Sequence, residues 1–272
     1  MPFGARKRLC AVYVYTACSL TAALATNPAQ AGAWPQPQGR TSIIARLTTT
    51  TAPHAFDAGG QIVGDADFEK TELDAYVEHG WRESVTLLVK PTLQHTIVGS
   101  QRRTGLATVE AGARARVWVF EEDRSVLALQ ASVILPMREH DRQNPLITSG
   151  HTDIDVRLLH GVPGTLFGLN DFADTQLAYR HRGGKAPDEI RLDMTYGINL
   201  GPDWTIMTQS LTVAAIGNAR APFQQFVSQK VQASLRWQFA EDRHVELGGL
   251  RTMSGIQTVR ESGAFISFWA SF

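Results

Sequence analysis

Apolar and polar residues alternate along most of this chain. In "TGLATVEAGARARVWVF", Ala107, Val109, Ala111, Ala113, Ala115, Val117 and Val119 form one row; Thr108, Glu110, Gly112, Arg114, Arg116 and Trp118 form the other. A helix would scatter these residues around its axis, whereas a strand puts each row on one face. "SVLALQASVIL" and "FVSQKVQASLRWQF" repeat the pattern, and "TELDAYVEH", "TDIDVRLL" and "EIRLDMTYGINL" give shorter versions. About twelve strands are expected, over 40–50, 68–79, 84–96, 104–120, 125–136, 151–160, 170–182, 189–200, 204–216, 226–239, 244–255 and 263–272. The alternation is poor over 204–216 and only fair over 40–50.

The connections alternate too. "GWRES", "EEDR", "GPDW" and "AEDR" are tight and polar; between them come longer links at 51–67, 97–103, 137–150, 183–188, 217–225 and 256–262. Short turns at one end and long loops at the other describe an up-and-down meander. The link at 161–169, around "GVPGTLFG", is too long for its place on the short-turn end, and the pattern does not explain it.

Alternation alone does not say whether the apolar rows face a core or lipid. Two features favour lipid. The apolar rows are mostly Ala, Val and Leu, with few of the large aromatics that fill a soluble β core. The six tryptophans, Trp34, Trp81, Trp118, Trp204, Trp237 and Trp269, all fall near the short-turn end, as in an aromatic girdle. By parity Trp118 and Trp269 sit in the polar row, so that girdle is not clean. The fold expected is all-β: an antiparallel up-and-down transmembrane β-barrel of about twelve strands. Its lumen-facing candidates are Glu72, Asp74, Glu110, Arg114, Arg116, Asp153, Asp155, Arg157, Arg180, Arg191, Asp193, Lys230 and Arg236.

The front of the chain reads as a leader. Arg6, Lys7 and Arg8 precede an uncharged run from Leu9 to Ala25, and "AQAG" sets Ala29 and Ala31 at the spacing a signal peptidase reads. Cleavage after Ala31 would leave a single domain, 32–272. Both cysteines, Cys10 and Cys18, fall in the removed segment, so disulfide and thiol chemistry are not expected of the mature chain. Losing three of 26 basic residues and none of 26 acidic ones takes the net charge to −3, which argues against a nucleic-acid partner. No later stretch reaches the roughly 18 apolar residues of a membrane helix. By hydropathy alone the chain would pass for a soluble periplasmic β-protein.

The last residues speak against that. In "AFISFWASF" the apolar residues Ala264, Ile266, Phe268, Ala270 and Phe272 alternate up to a terminal aromatic. This strand resembles the C-terminal recognition strand of bacterial outer-membrane β-barrels. The resemblance implies that Ile266, Phe268, Ala270 and Phe272 are read by the barrel assembly machinery, and that the strand then pairs with the first one. Closure removes both sheet edges, which lipid cannot satisfy. "AGAW", "ELDAYVEHG", "VEAGARARVW", "DIDVRLL" and "TQLAYRHR" further resemble outer-membrane transporters of the MetA phenol-degradation type. That likeness implies small hydrophobic or aromatic solutes.

Candidate chemistry is sparse. The twelve-stranded outer-membrane phospholipase pairs a His with a Ser two positions on; no His here has one, so no catalytic residues and no enzyme activity are expected. His151, Asp153 and Asp155 share a row that could ligate a metal, but lumen charges balanced by Arg157 are the better reading. "RGGK" (Arg182–Lys185) and "GVPG" read as turns, since no helix follows either. No metal or cofactor is expected. The mixed signs of the inward row suggest ion pairing in a narrow channel that passes a small solute through the bacterial outer membrane, with membrane lipids as the other partner. The alternatives are a structural or interaction barrel with a plugged lumen, and the soluble β-protein.

Overall fold

Every one of the alternating stretches forms a strand. A computed structural model describes residues 32–120, 124–137, 150–217, 219–221 and 223–272; the expected leader, with both cysteines, lies outside them. The strands are β1 (Thr41–Phe56), β2 (Ile62–Arg82), β3 (Val85–Val98), β4 (Gln101–Phe120), β5 (Ser125–Pro136), β6 (Asp153–Leu166), β7 (Leu169–His181), β8 (Asp188–Asn199), β9 (Trp204–Ile216), β10 (Val227–Ala240), β11 (Arg243–Ile256), the two-residue β12 (Thr258–Val259) and β13 (Ser262–Ser271). Apart from β12, each pairs antiparallel with its chain neighbours, and β13 pairs with β1 from Ser42↔Ser271 to Thr51↔Ser262. The ring of twelve long strands is closed. Closure extends to the last residue: the Phe272 N–H donates to the Thr41 carbonyl, and the Thr41 N–H to that of Phe272.

The barrel is inverted relative to a soluble protein. Along β6, Asp155 is 1% exposed while its neighbours Ile154 and Val156 are 48% and 50% exposed. The outer surface carries Leu73, Leu87, Leu129, Val133, Leu177, Leu192, Leu235 and Leu247, all exposed, while Glu78, Arg114, Asp174, Arg236 and Glu246 are buried. Water would not tolerate that exterior; hydrocarbon requires it. The apolar rows face lipid and the charged rows face the interior.

Several strands run further than the alternation implied. The 51–67 link shrinks to Asp57–Gln61, because Pro53 sits at a register shift between Ala52 and His54, where a missing N–H breaks no ladder bond. The 97–103 link is a two-residue turn at Gly99 and Ser100. "GVPGTL" continues β6, and Phe167 and Gly168 close the β6–β7 hairpin with φ of +52° and +79°. Two consecutive positive φ angles make the I′ turn that matches strand twist. The long link is therefore a long hairpin, with Phe167 95% exposed at its tip.

Bulges correct the rest. Ala107, expected in the outward row, is buried because the β3–β4 register shifts beside it. Val117 is unpaired between Arg116 and Trp118, and that extra residue swings Trp118 onto the outer face. Trp81 is skipped by a third shift, between Gly80 and Arg82 at the end of β2. Trp81, Trp118, Trp204 and Trp237 are exposed around the short-turn end, with Trp204 stacked on Trp237 at 5.8 Å and Phe239 and Phe268 beyond. Trp34 and Trp269 are not in this girdle. Both turn into the lumen.

Candidate functional site: the lumen and the segment that crosses it

The interior holds two cavities of about 970 and 670 Å³. They share Glu72, Tyr76, Lys90, Gln94, Glu189, Arg191 and Asp193 as walls, so they are two parts of one lumen. In the larger, Lys90, Arg114, Arg157, Arg180, Arg182 and Arg191 face Glu72, Glu110, Asp153, Glu189 and Asp193. The smaller adds Arg46, Lys70, Lys230 and Arg236 against Asp74, Glu246 and Glu261. The two signs nearly balance in both.

These charges pair along one strand, between adjacent strands, or across one intervening strand. Arg157 lies 2.8 Å from Asp193 and 3.4 Å from Asp155, and Asp155 also holds Arg180 at 3.0 Å. Arg182 bridges Asp153 at 3.1 Å and Glu189 at 2.6 Å. Asp153 and Asp155 are thus engaged by arginines, and among the described residues no group of three His, Cys, Asp or Glu is placed to hold a metal. Ser132 donates to Glu110, Lys90 stands 3.7 Å from Asp74, and Lys70 3.7 Å from Glu72. Of the thirteen candidates, two border neither cavity: Asp155, buried beneath its arginines, and Arg116, half-buried beside the Val117 bulge.

Further charges belong to the same lumen. Glu78 follows Glu72 and Asp74 in one row, and Asp174 shares the parity of Arg180, so both were readable from strand periodicity. Glu261 lies between β12 and β13, where no periodicity points to it. Lys230 reaches it at 2.7 Å and Lys70 at 3.8 Å. Burial works against its charge, but Lys70 and Lys230 outweigh it and hold its carboxyl below the usual range. A depressed carboxyl contributes stability above its unfolded value, and that stability is lost as pH falls through the lower folded value.

At the loop end, Ile134, Pro136, Pro187, Phe223 and Phe226 give the larger cavity an apolar lip. The β9–β10 loop is tied to the β7–β8 loop there, the Arg220 N–H donating to the Lys185 carbonyl at 3.1 Å. At the short-turn end the smaller cavity narrows onto Ile44, Phe172, Met207, Arg236 and Trp269. The Arg236 guanidinium lies 5.1 Å over the Trp269 ring, and Trp269 Nε1 donates to Glu246 at 3.0 Å.

Strand patterning did not anticipate residues 32–40, whose Gly32 borders the larger cavity. "GAWPQPQGR" has two prolines and no alternation, yet it enters the barrel and touches β2 through β7. The Gln36 N–H donates to Thr86 Oγ1 at 2.8 Å, and Gln36 Nε2 to Glu78 Oε2 at 2.8 Å. Arg114 bridges Glu78 at 2.6 Å and donates to the Trp34 carbonyl at 3.2 Å. The Trp34 indole packs edge-on against Phe172, and β6 admits it because a Cβ at Gly161 would sit 2.7 Å from the ring. Ala33 is buried with Ala128 and Leu159, and its N–H donates to Asp174 at 2.7 Å. β1 and β7 are half-way round a ring of twelve. The segment therefore crosses the lumen.

Solved structures share this architecture at low sequence identity. An outer membrane channel from Pseudomonas putida F1 superposes with a TM-score of 0.66 at 12% identity, covering 89% of this chain and 99% of that one. The NanC porin matches at 0.53 and 10% identity, over 83% of this chain and 98% of that one. The translocator domain of the autotransporter NalP from Neisseria meningitidis matches at 0.54 and 10%, over 87% and 90%. No family model matches the sequence, and no curated protein matches it significantly. The chain has the fold of bacterial outer-membrane β-barrels, shared with channels, porins and a translocator alike.

Proposed function

We propose that this barrel is a narrow passive channel for small solutes. The observation that carries it is the charge-balanced lumen, two cavities with shared walls that reach from the apolar lip to the Arg236–Trp269 end. Paired charges of both signs hydrate a path without binding one ion type tightly, so weak ion selectivity follows. The lip of Phe223, Phe226 and prolines suits a small apolar or aromatic solute, in keeping with the MetA-type resemblance. The shared fold with an outer membrane channel adds support by analogy.

A plugged barrel acting through its loops is the second reading, favoured by the segment across the lumen. Single-channel recording in planar bilayers decides between them. The mature barrel should give a small, weakly selective conductance, and removing residues 32–38 should enlarge it. Silence from both proteins would overturn the channel and leave the plugged barrel.

The terminal strand serves, on this reading, as the signal for the barrel assembly machinery. Phe272 is exposed on the outer face with the Arg243 guanidinium 5.5 Å from its ring, while Phe268 and Ile266 continue that face and Ala270 between them is buried. Burying a Phe fully contributes roughly 1.5–3 kcal/mol, and a half-exposed one less. Deleting Phe272 should therefore leave refolding into detergent largely intact while sharply lowering insertion in cells. Normal cellular insertion would refute the signal.

A further inference from the structure

The lumen-crossing segment begins, at Gly32, against a carboxylate that has no direct ion-pair partner among the described residues. Asp174 is buried on the inner face of β7. Its Oδ1 accepts from Gln176 Nε2 at 2.6 Å and its Oδ2 from the Ala33 N–H at 2.7 Å. Its neighbours in the same row, Asp155, Asp153 and Asp193, all have arginine partners; Asp174 forms no ion pair among the described residues. Its direct donors are neutral and Arg114 and Arg157 act on it only through space, an arrangement that leaves a buried carboxylate costly.

Gly32 is shaped to that carboxylate. A Cβ on it would stand 2.7 Å from Asp174 Oδ2 and 3.0 Å from Cγ, so only glycine fits this close to the carboxylate, and its amino nitrogen, one bond from the α-carbon, can turn toward it once freed. The sequence reading independently puts signal-peptidase cleavage between Ala31 and Gly32. Structure and processing motif meet at one residue, Gly32.

We propose that removal of the leader supplies the direct ion-pair partner that Asp174 lacks: the α-ammonium of Gly32 pairs with Asp174 and pins the N-terminal segment across the lumen. Water adds across the Ala31–Gly32 amide and the C–N bond breaks. Ala31 departs with a carboxylate, and the Gly32 nitrogen is protonated to an ammonium. Before the cut that nitrogen is a neutral amide with one proton to donate; afterwards it carries charge and makes charge-assisted bonds. Export processing thus sets the floor of the lumen as well as freeing the chain. The proposal does not depend on which solute, if any, passes.

Amine labelling of the purified outer-membrane protein tests it. Intact mass should place the mature N-terminus at Gly32. Acetylation by N-hydroxysuccinimide acetate should then modify the Gly32 amine at least about tenfold slower in the folded protein than in denaturant, because pairing keeps it protonated. Exposed Lys185 supplies the internal control for reagent activity. Asp174→Asn should bring the folded rate close to the denatured one. Gly32→Ala, whose Cβ would meet Asp174, should also speed acetylation and decides the case if Asp174→Asn does not fold. A different N-terminus, equal wild-type rates in the two states, or variants as protected as wild type would each overturn the pair.

Discussion

Arginine in place of Val133 should lower the folding free energy in a bilayer by about 2–4 kcal/mol, the cost of a guanidinium near the lipid midplane. Val133 lies in an outward row with Ala111 of β4 and Ile154 of β6, and both it and Ile154 are exposed. The side chain there has no protein partner and would have to snorkel to reach water. Arginine at Ser234 should be nearly silent. Ser234 faces the lumen opposite Gly248 and donates to Glu246, whose carboxylate would accept a guanidinium instead. Urea titrations of both variants refolded into lipid vesicles provide the comparison; equal costs would refute the assignment of faces.

Glu78→Ala should be the most damaging change inside the lumen. Glu78 and Arg114 pair at 2.6 Å with side chains 2% and 1% exposed, so solvent does little to screen either charge. Removing one partner strands the other, at about 3–5 kcal/mol. Gln36 would lose its acceptor at the same stroke, and with it one tether of the crossing segment. Glu78→Leu combined with Arg114→Met should recover most of that loss, because apolar replacement of a buried pair is often close to neutral. A cost below about 1 kcal/mol for Glu78→Ala, the range of exposed pairs, would mean that water hydrates the pair in the membrane.

The wall of this barrel was legible in the sequence because lipid imposes the same demand on every strand. Rows such as Ile154, Val156 and Leu158 repeat at period two, and parity marks Asp155 and Arg157 as their inward counterparts. Parity fails where one residue is inserted. The unpaired Val117 moved Trp118 outward, and the shift beside Ala107 moved that residue inward. Strand ends were hidden where prolines interrupt the pattern, at Pro53 in β1 and Pro163 in β6. The crossing segment was illegible for a different reason. Its partners Thr86, Glu78, Arg114 and Asp174 are set by barrel closure, and nothing within "GAWPQPQGR" encodes the distance to them.

The most direct test of the inverted barrel is a nitroxide scan of β5. The sequence from residue 32 onward contains no cysteine, so single cysteines from Ala128 to Leu135 can be labelled one at a time after reconstitution into lipid. Oxygen, which concentrates in hydrocarbon, should collide most with labels at Leu129, Ala131, Val133 and Leu135, and little with those at Ala128, Gln130, Ser132 and Ile134. High accessibility to a water-soluble nickel chelate at the first four positions, with low oxygen collision throughout, would place the apolar row in water and contradict a membrane-spanning barrel.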